Sequence, residues 1–388
     1  MIIMIRKKFY ALICLFGIFV FCGALIAKGS DTEPQVKTLR IGYCQSRPYG
    51  FYAQELLDIA REMAGAGLLS EDILTKYEGV NFEESFEKED TPKLWNDICD
   101  ACLEGSHYQF VRDVFYDMSV VPEEDYESMV NRDDVDMTIT MGTAPGVYFV
   151  EHEKDNLFIN LYAADPIASG IVKSDTERFT DNSYATVDLT PYLRQLDVGY
   201  KFLNFKKLGM VYENSETAYV VSAVKEVEQK AEEYGFEVVT RYVTEPVSDD
   251  EYDRYYSELK KAYRELVDEG IDCLYITLAS IDYEEKMQEL LDDAIIPAGI
   301  KTLAQDDFEP LAYGALFGVT ISDAEQTAGH VFKQLESYTV EGVPFNELDM
   351  VCEITPRIGL NMTTAKRIGF DPGFKNLQMI DRIFRNDR

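Results

Sequence analysis

The sequence predicts an α/β protein made of two Rossmann-like units, each with a mainly parallel sheet. Three observations carry that expectation. Strand-like and helix-like segments alternate twice along the chain, with a break near residues 165–190. Hydrophobic residues are 46% and aromatics 12% of 388 residues, enough for sizeable cores in a chain whose length suggests two or three domains. The strand ends carry polar turns and helix-capping residues, the place where open α/β sheets hold their ligands.

The N-terminus stands apart from both units. Arg6, Lys7 and Lys8 precede an uncharged run from Phe9 to Ala27, after which the chain turns polar at Lys28. This reads as an export signal over residues 1–27, with Ala24 or Ala27 as small residues for cleavage. The run of 19 apolar positions is also close to a membrane span, so a retained N-terminal anchor is the alternative. Phe21 stands before Cys22 where lipidation normally requires a small residue. Residues 28–37 read as a linker. No second long apolar run follows, so the remainder is expected outside the membrane, in the periplasm or at the cell surface.

The first series opens with an apolar strand at Leu39–Cys44, and Tyr52–Ala66 has helical spacing at Leu56, Leu57, Ile59, Ala60 and Met63. Residues 67–108 are less legible: a charged stretch at 83–90 precedes a helix around Trp95–Leu103. Phe110–Tyr116 alternates as a strand does. A helix near Pro122–Asn131 leads into the strand Asp136–Met141. Gly142–Gly146 then turns into a short helix before the strand Leu157–Ala163. After an irregular stretch, a helix is expected over Thr190–Leu203.

The second series begins with the strand Lys207–Tyr212 and a long helix for which Ser215 is the N-cap candidate. Strands follow at Phe236–Val243, Cys273–Leu278, Ile300–Leu303, Ala315–Val319 and Met350–Ile354. Helices are expected over Asp249–Glu269, Tyr283–Asp293, Asp323–Ser337 and Asn361–Ile368.

Charge and motifs exclude several functions. With 37 Lys and Arg against 70 Asp and Glu, the net charge is -33. A protein that holds nucleic acid needs a basic patch, and none is present. The same balance argues against adhesion of the folded part to anionic lipid. The three histidines, His107, His152 and His330, sit in no nucleophile, metal or acid–base motif. Neither a catalytic residue nor a cofactor nor a metal ligand is assigned, and an enzyme is not expected. Outside the first 27 residues the cysteines are Cys44, Cys99, Cys102, Cys273 and Cys352, too scattered for a disulfide framework. Cys99 and Cys102 form a C-x-x-C, for which zinc would need two more ligands. A thioredoxin-like site would need a helix start, whereas the flanks read as the middle of a helix.

The candidate ligand contacts are polar residues at strand ends. Gly142, Thr143 and Ala144 follow an apolar strand and open a helix, where backbone N–H groups and the Thr143 hydroxyl suit an anion, or simply cap the helix. Asn214, Ser215 and Glu216 occupy the equivalent turn in the second unit. Ser280, Asp306, Asp307 and Phe308 end two further strands, an Asp there suiting an ammonium group and Phe308 an aromatic face. Gln45 and Ser46 end the first strand.

Asp165-Pro-Ile-Ala-Ser-Gly-Ile-Val, Asp188-Leu-Thr-Pro and Gln195-Leu, with the spacing to Lys207-Leu-Gly-Met-Val-Tyr, resemble a family of ABC-transporter substrate-binding proteins of the type I periplasmic-binding fold. That family includes tryptophan-binding members. Val135–Ala144, Tyr313-Gly-Ala, Gln326-Thr-Ala-Gly and Leu360–Gly369 fit the same ordered series, which spans most of residues 110–370. Residues 65–108 depart from it. The resemblance implies two lobes joined by three crossovers: residues 38–165 plus about 322–347 in the first, and 166–321 plus about 348–388 in the second. It implies a small organic ligand held between the lobes, an ABC permease as partner, a monomer, and membrane contact only through the N-terminal segment. Carried over by position, Gln45, Ser46, Gly142, Thr143 and Asp165 would face the ligand from one lobe, and Asn214, Ser215, Glu216, Ser280, Asp306 and Asp307 from the other. A sensor that docks to a receptor kinase is the first alternative, and a C-x-x-C redox protein the second.

Overall fold

The computed structural model describes residues 38–83, 85–277, 281–305 and 308–385. The signal or anchor at 1–27, the linker at 28–37, and Ser280, Asp306 and Asp307 lie outside the described residues.

The first sheet contains β1 (Leu39–Gln45), β2 (Tyr108–Asp117), β3 (Met137–Met141), β4 (Leu157–Leu161) and β5 (Ser183–Ala185), in the order β2-β1-β3-β4-β5. All of its pairings are parallel. The second contains β6 (Lys207–Glu213), β7 (Glu237–Val243), β8 (Cys273–Ile276), β9 (Lys301–Ala304), β10 (Phe317–Val319), β11 (Ile358–Asn361) and β12 (Arg382–Phe384). Its order is β12-β11-β10-β9-β8-β6-β7. Strands β6 to β10 thus repeat the arrangement of β1 to β5, and only the β10–β11 pairing is antiparallel. This is the expected pair of mainly parallel sheets. β3, β8 and β10 are buried along their whole length, as sheets covered on both faces require.

Each sheet has its own core. On the first, Leu56, Leu57 and Ile59 of the Gly50–Gly65 helix pack with Ala328, Val331 and Leu335 of the Ala324–Thr339 helix. The chain after Ser322 therefore returns to the first core, and it stays there through Met350. On the second sheet, one face buries Leu196, Phe202, Met210 and Phe317, the other Tyr255, Leu259, Leu274 and Ile295. β5 pairs with β4, so the first sheet runs to residue 185, past the boundary expected at 165.

Three crossovers near residues 187–190, 320–323 and 352–357 join the sheets, and they are bonded to one another. Val187 and Val351 form one bridge, with Val187 N donating to Met350 O at 2.8 Å and Cys352 N to Val187 O at 2.9 Å. Thr320 N donates to Arg357 O at 3.0 Å, and Arg357 N to the Thr320 hydroxyl at 2.9 Å. The Gln326 amide exchanges bonds with both backbone groups of Thr355, and Arg357 pairs with Asp323 at 2.6 Å.

Several expectations are corrected. Glu123–Met129 is a 3-10 helix, because its two packing residues, Tyr126 and Met129, are three apart. The long helix after Ser215 is two helices, Glu216–Val221 and Val224–Tyr234, separated where Ala223 takes a φ of 51°. Met350–Ile354 is extended with alternate residues buried, yet it has no partner strand beyond the Val187–Val351 bridge. The C-x-x-C lies at a helix end: the helix is Asp90–Asp100, and Cys102 follows its cap.

Candidate functional site

The carboxyl ends of β1, β3 and β4 meet at one edge of the first sheet. Ser46 N donates to Met141 O at 3.0 Å, and Gly142 N to Leu161 O at 2.8 Å. These bonds bring Ser46, Gly142 and Tyr162 together from distant parts of the sequence. Gly142 has a φ of 97°, and a Cβ there would meet the Tyr52 hydroxyl at 2.5 Å and Ser46 Oγ at 2.7 Å. The two hydroxyls are themselves 3.2 Å apart. Only glycine lets the chain pass this close.

An aromatic cluster covers this edge. Tyr49 lies 5.3 Å from Phe51 and 5.1 Å from Tyr52, and Tyr162 lies 6.3 and 6.0 Å from Phe51 and Tyr52. The Arg47 guanidinium sits 5.8 Å over the Tyr49 ring. Sequence reading missed all of these rings. The signal for Tyr49, Phe51 and Tyr52 was Arg47-Pro-Tyr-Gly-Phe-Tyr, three aromatics at a strand-to-helix turn.

Thr143 and Ala144 begin the Thr143–His152 helix, as expected. The Thr143 hydroxyl accepts from Ala164 N at 3.2 Å and so joins the chain after β4 to this turn. Asp165 accepts from Ile167 N and Ala168 N at 3.0 and 2.8 Å, closing its own turn. Gln45 is turned inward instead: it is fully buried, accepts from the Tyr43 hydroxyl and donates to Asp117 at 3.0 Å.

In the second sheet Ser215 accepts from Ala218 N at 3.1 Å and caps its helix. Asn214 and Glu216 are exposed beside it at the end of β6. Phe308 packs against the β11 backbone at Gly359 and lies 6.0 Å from Phe384. Beneath this edge is a buried network that the sequence did not assign. Gln195 accepts from the Tyr275 hydroxyl at 2.8 Å and donates to Gln305 O and Val319 O at 3.0 and 2.7 Å. Gln305 in turn donates to Val221 O at 2.7 Å.

A cavity of about 1180 Å³ lies between the two sets of elements. Tyr49, Phe51 and Phe86 line it from the first-sheet side, Phe308, Tyr313 and Phe384 from the second, with Asp323 and Arg357 from the crossovers. Of the expected contacts among the described residues, Phe308 alone lines it. Its volume exceeds the roughly 300–1,000 Å³ of most closed ligand pockets. Among the described residues no group of His, Cys, Asp or Glu is placed to hold a metal ion.

No protein-family model matches the sequence, and no curated protein is similar to it by sequence. Solved structures are similar in fold. The ligand-free, open structure of CD0873, a substrate-binding protein with adhesive properties from Clostridium difficile, aligns with a TM-score of 0.62 at 19% identity, over 90% of this chain and all of that one. An ABC domain from Streptococcus pneumonia in complex with L-Trp aligns with a TM-score of 0.53 at 15% identity, over 90% of this chain and all of that one. The chain has the type I periplasmic-binding fold. A conserved domain protein from Vibrio cholerae shares it at 15% identity, with a TM-score of 0.52 over 89% of this chain and all of the other.

The two thiols of the C-x-x-C are shifted away from the thiolate form. Cys99 and Cys102 are unbridged. Burial pushes the Cys99 thiol up to about 12, and also raises Cys102, which accepts from Phe110 N at 3.3 Å. Redox-active thiols are shifted the other way, by a helix N-terminus or a nearby cation.

Proposed function

We propose that this chain is an extracytoplasmic solute-binding protein. It captures a small organic molecule, an aromatic amino acid in our reading, between its lobes and delivers it to an ABC permease. The observation that carries this reading is the cluster of Tyr49, Phe51, Tyr52 and Tyr162 over the carboxyl ends of β1 and β4, beside the interlobe cavity. Such rings bury an apolar side chain at low entropic cost, and the Arg47, Ser46 and Thr143 turns supply polar contacts. Asn214 and Glu216, with Ser280, Asp306 and Asp307, complete the site from the second lobe. The fold supports the reading, and so does the L-Trp held by the Streptococcus domain. Residues 1–27 serve as export signal or anchor, the lobes divide at the three crossovers, and the protein works as a monomer.

The test is a thermal-shift screen of protein lacking residues 1–27, refolded to remove any co-purified compound, against the twenty amino acids and common metabolites. Ligand at about 100 times its Kd adds roughly 2.7 kcal/mol of stability. A shift with tryptophan, tyrosine or phenylalanine is expected, and Tyr162→Ala should weaken that binding about tenfold or more. A panel without any shift removes the amino-acid reading.

A further inference from the structure

Glu55 is the one fully buried carboxyl side chain on the Gly50–Gly65 helix, and it has no exposed surface at all. Neither of its oxygens has a hydrogen bond of ordinary geometry among the described residues. Its surroundings come from five places in the chain. Asp58 lies one turn along the same helix, Glu83 in the loop before the Asp90–Asp100 helix, and the Tyr162 hydroxyl at the end of β4. Asp323, at the second crossover, and Cys352, at the third, are close enough to act on it through charge. Three of these neighbours are carboxyl groups. The nearby cations are committed elsewhere, Arg61 to Asp58 at 2.7 Å and Arg357 to Asp323 at 2.6 Å. Tyr162 lies against Glu55 on one side and against the Phe51 and Tyr52 rings on the other.

A buried carboxylate with carboxylates around it and no cation is costly, whereas the neutral acid is tolerated. We propose that Glu55 is a proton-linked latch: as a neutral acid it lets the Gly50–Gly65 helix pack against the second and third crossovers, and loss of its proton loosens that packing and the Tyr162 side of the cleft. Burial first, and then the charge of Asp58, raises its pKa well above the usual carboxylate range, while the Tyr162 hydroxyl opposes the shift. The sign follows from linkage. A group with a raised folded value stabilises the fold in acid and loses that contribution as pH climbs from about 4.3 through the raised value. The latch is a property of the crossovers and does not depend on which ligand the cleft takes.

The experiment compares the full chain with Glu55→Gln, a permanent mimic of the neutral acid, by thermal melting from pH 4.5 to 8. Other carboxyls affect both proteins alike, so the difference isolates Glu55. The melting temperature of the variant relative to the wild type should rise by roughly 3 °C or more across this range. A difference that is constant with pH overturns the proposal. Should the variant not fold, hydrogen exchange of residues 350–357 in the wild type, corrected for intrinsic rates, decides. Corrected exchange that is faster at pH 8 than at pH 5.5 supports the latch, and equal protection rejects it.

Discussion

Gly142 shows how much one residue carries at the site. Its φ of 97° and its approach to Tyr52 and Ser46 leave no room for a side chain. Gly142→Ala should therefore cost about 1–3 kcal/mol in urea denaturation and also remove any ligand-induced thermal shift. A variant with unchanged stability would mean that the turn relaxes freely. At this scale the sequence was legible where a side chain answers to its own neighbours. Ser215, Asp323 and Asn361 cap helices through bonds three residues away or nearer, which is why capping signals are local. Gln45 was misread because its partner, Asp117, lies 72 positions along the chain. The aromatic contacts of Tyr162 were hidden for the same reason.

Among the elements, the Pro191–Leu203 helix does more than cover the second sheet. Its Gln195 ties β8, β9 and β10 together at the carboxyl edge that presents Phe308. Gln195→Leu keeps the volume roughly but removes the amide that pairs the buried Tyr275 hydroxyl and Val319 carbonyl. We expect a loss of about 2–4 kcal/mol by chemical denaturation, since buried polar groups left unpaired cost more than the bond was worth. A loss below about 1 kcal/mol would show that water replaces the amide. Most elements were legible from periodicity, the fully buried β3 and the amphipathic Tyr252–Asp268 helix among them. β11 and β12 were not. They have four and three residues, too short for a pattern, and β11 is held by pairing with β10 across a distance of some forty residues.

On the scale of the whole molecule, the two sheets bury separate sets of core residues, and the three crossovers are the covalent links between them. Rotation about those crossovers leaves the cores intact, which is the geometry of hinge closure. A ligand can drive closure only by binding the closed form more tightly than the open one. Contacts from both lobes would provide that difference, because the second set forms only when the lobes meet. The cavity of about 1180 Å³ leaves space for such an approach. Small-angle scattering should then record a smaller radius of gyration at saturation with the compound that gives the largest thermal shift. Cys99→Ser should close in the same way, since its half-buried thiol lies on the Asp90–Asp100 helix and not at the crossovers. An identical scattering curve with and without a saturating ligand would mean that binding leaves the lobes where they are. Affinity would then rest on the first-lobe aromatic cluster alone, and Tyr162→Ala would remove binding while substitutions at Asn214 left it unchanged.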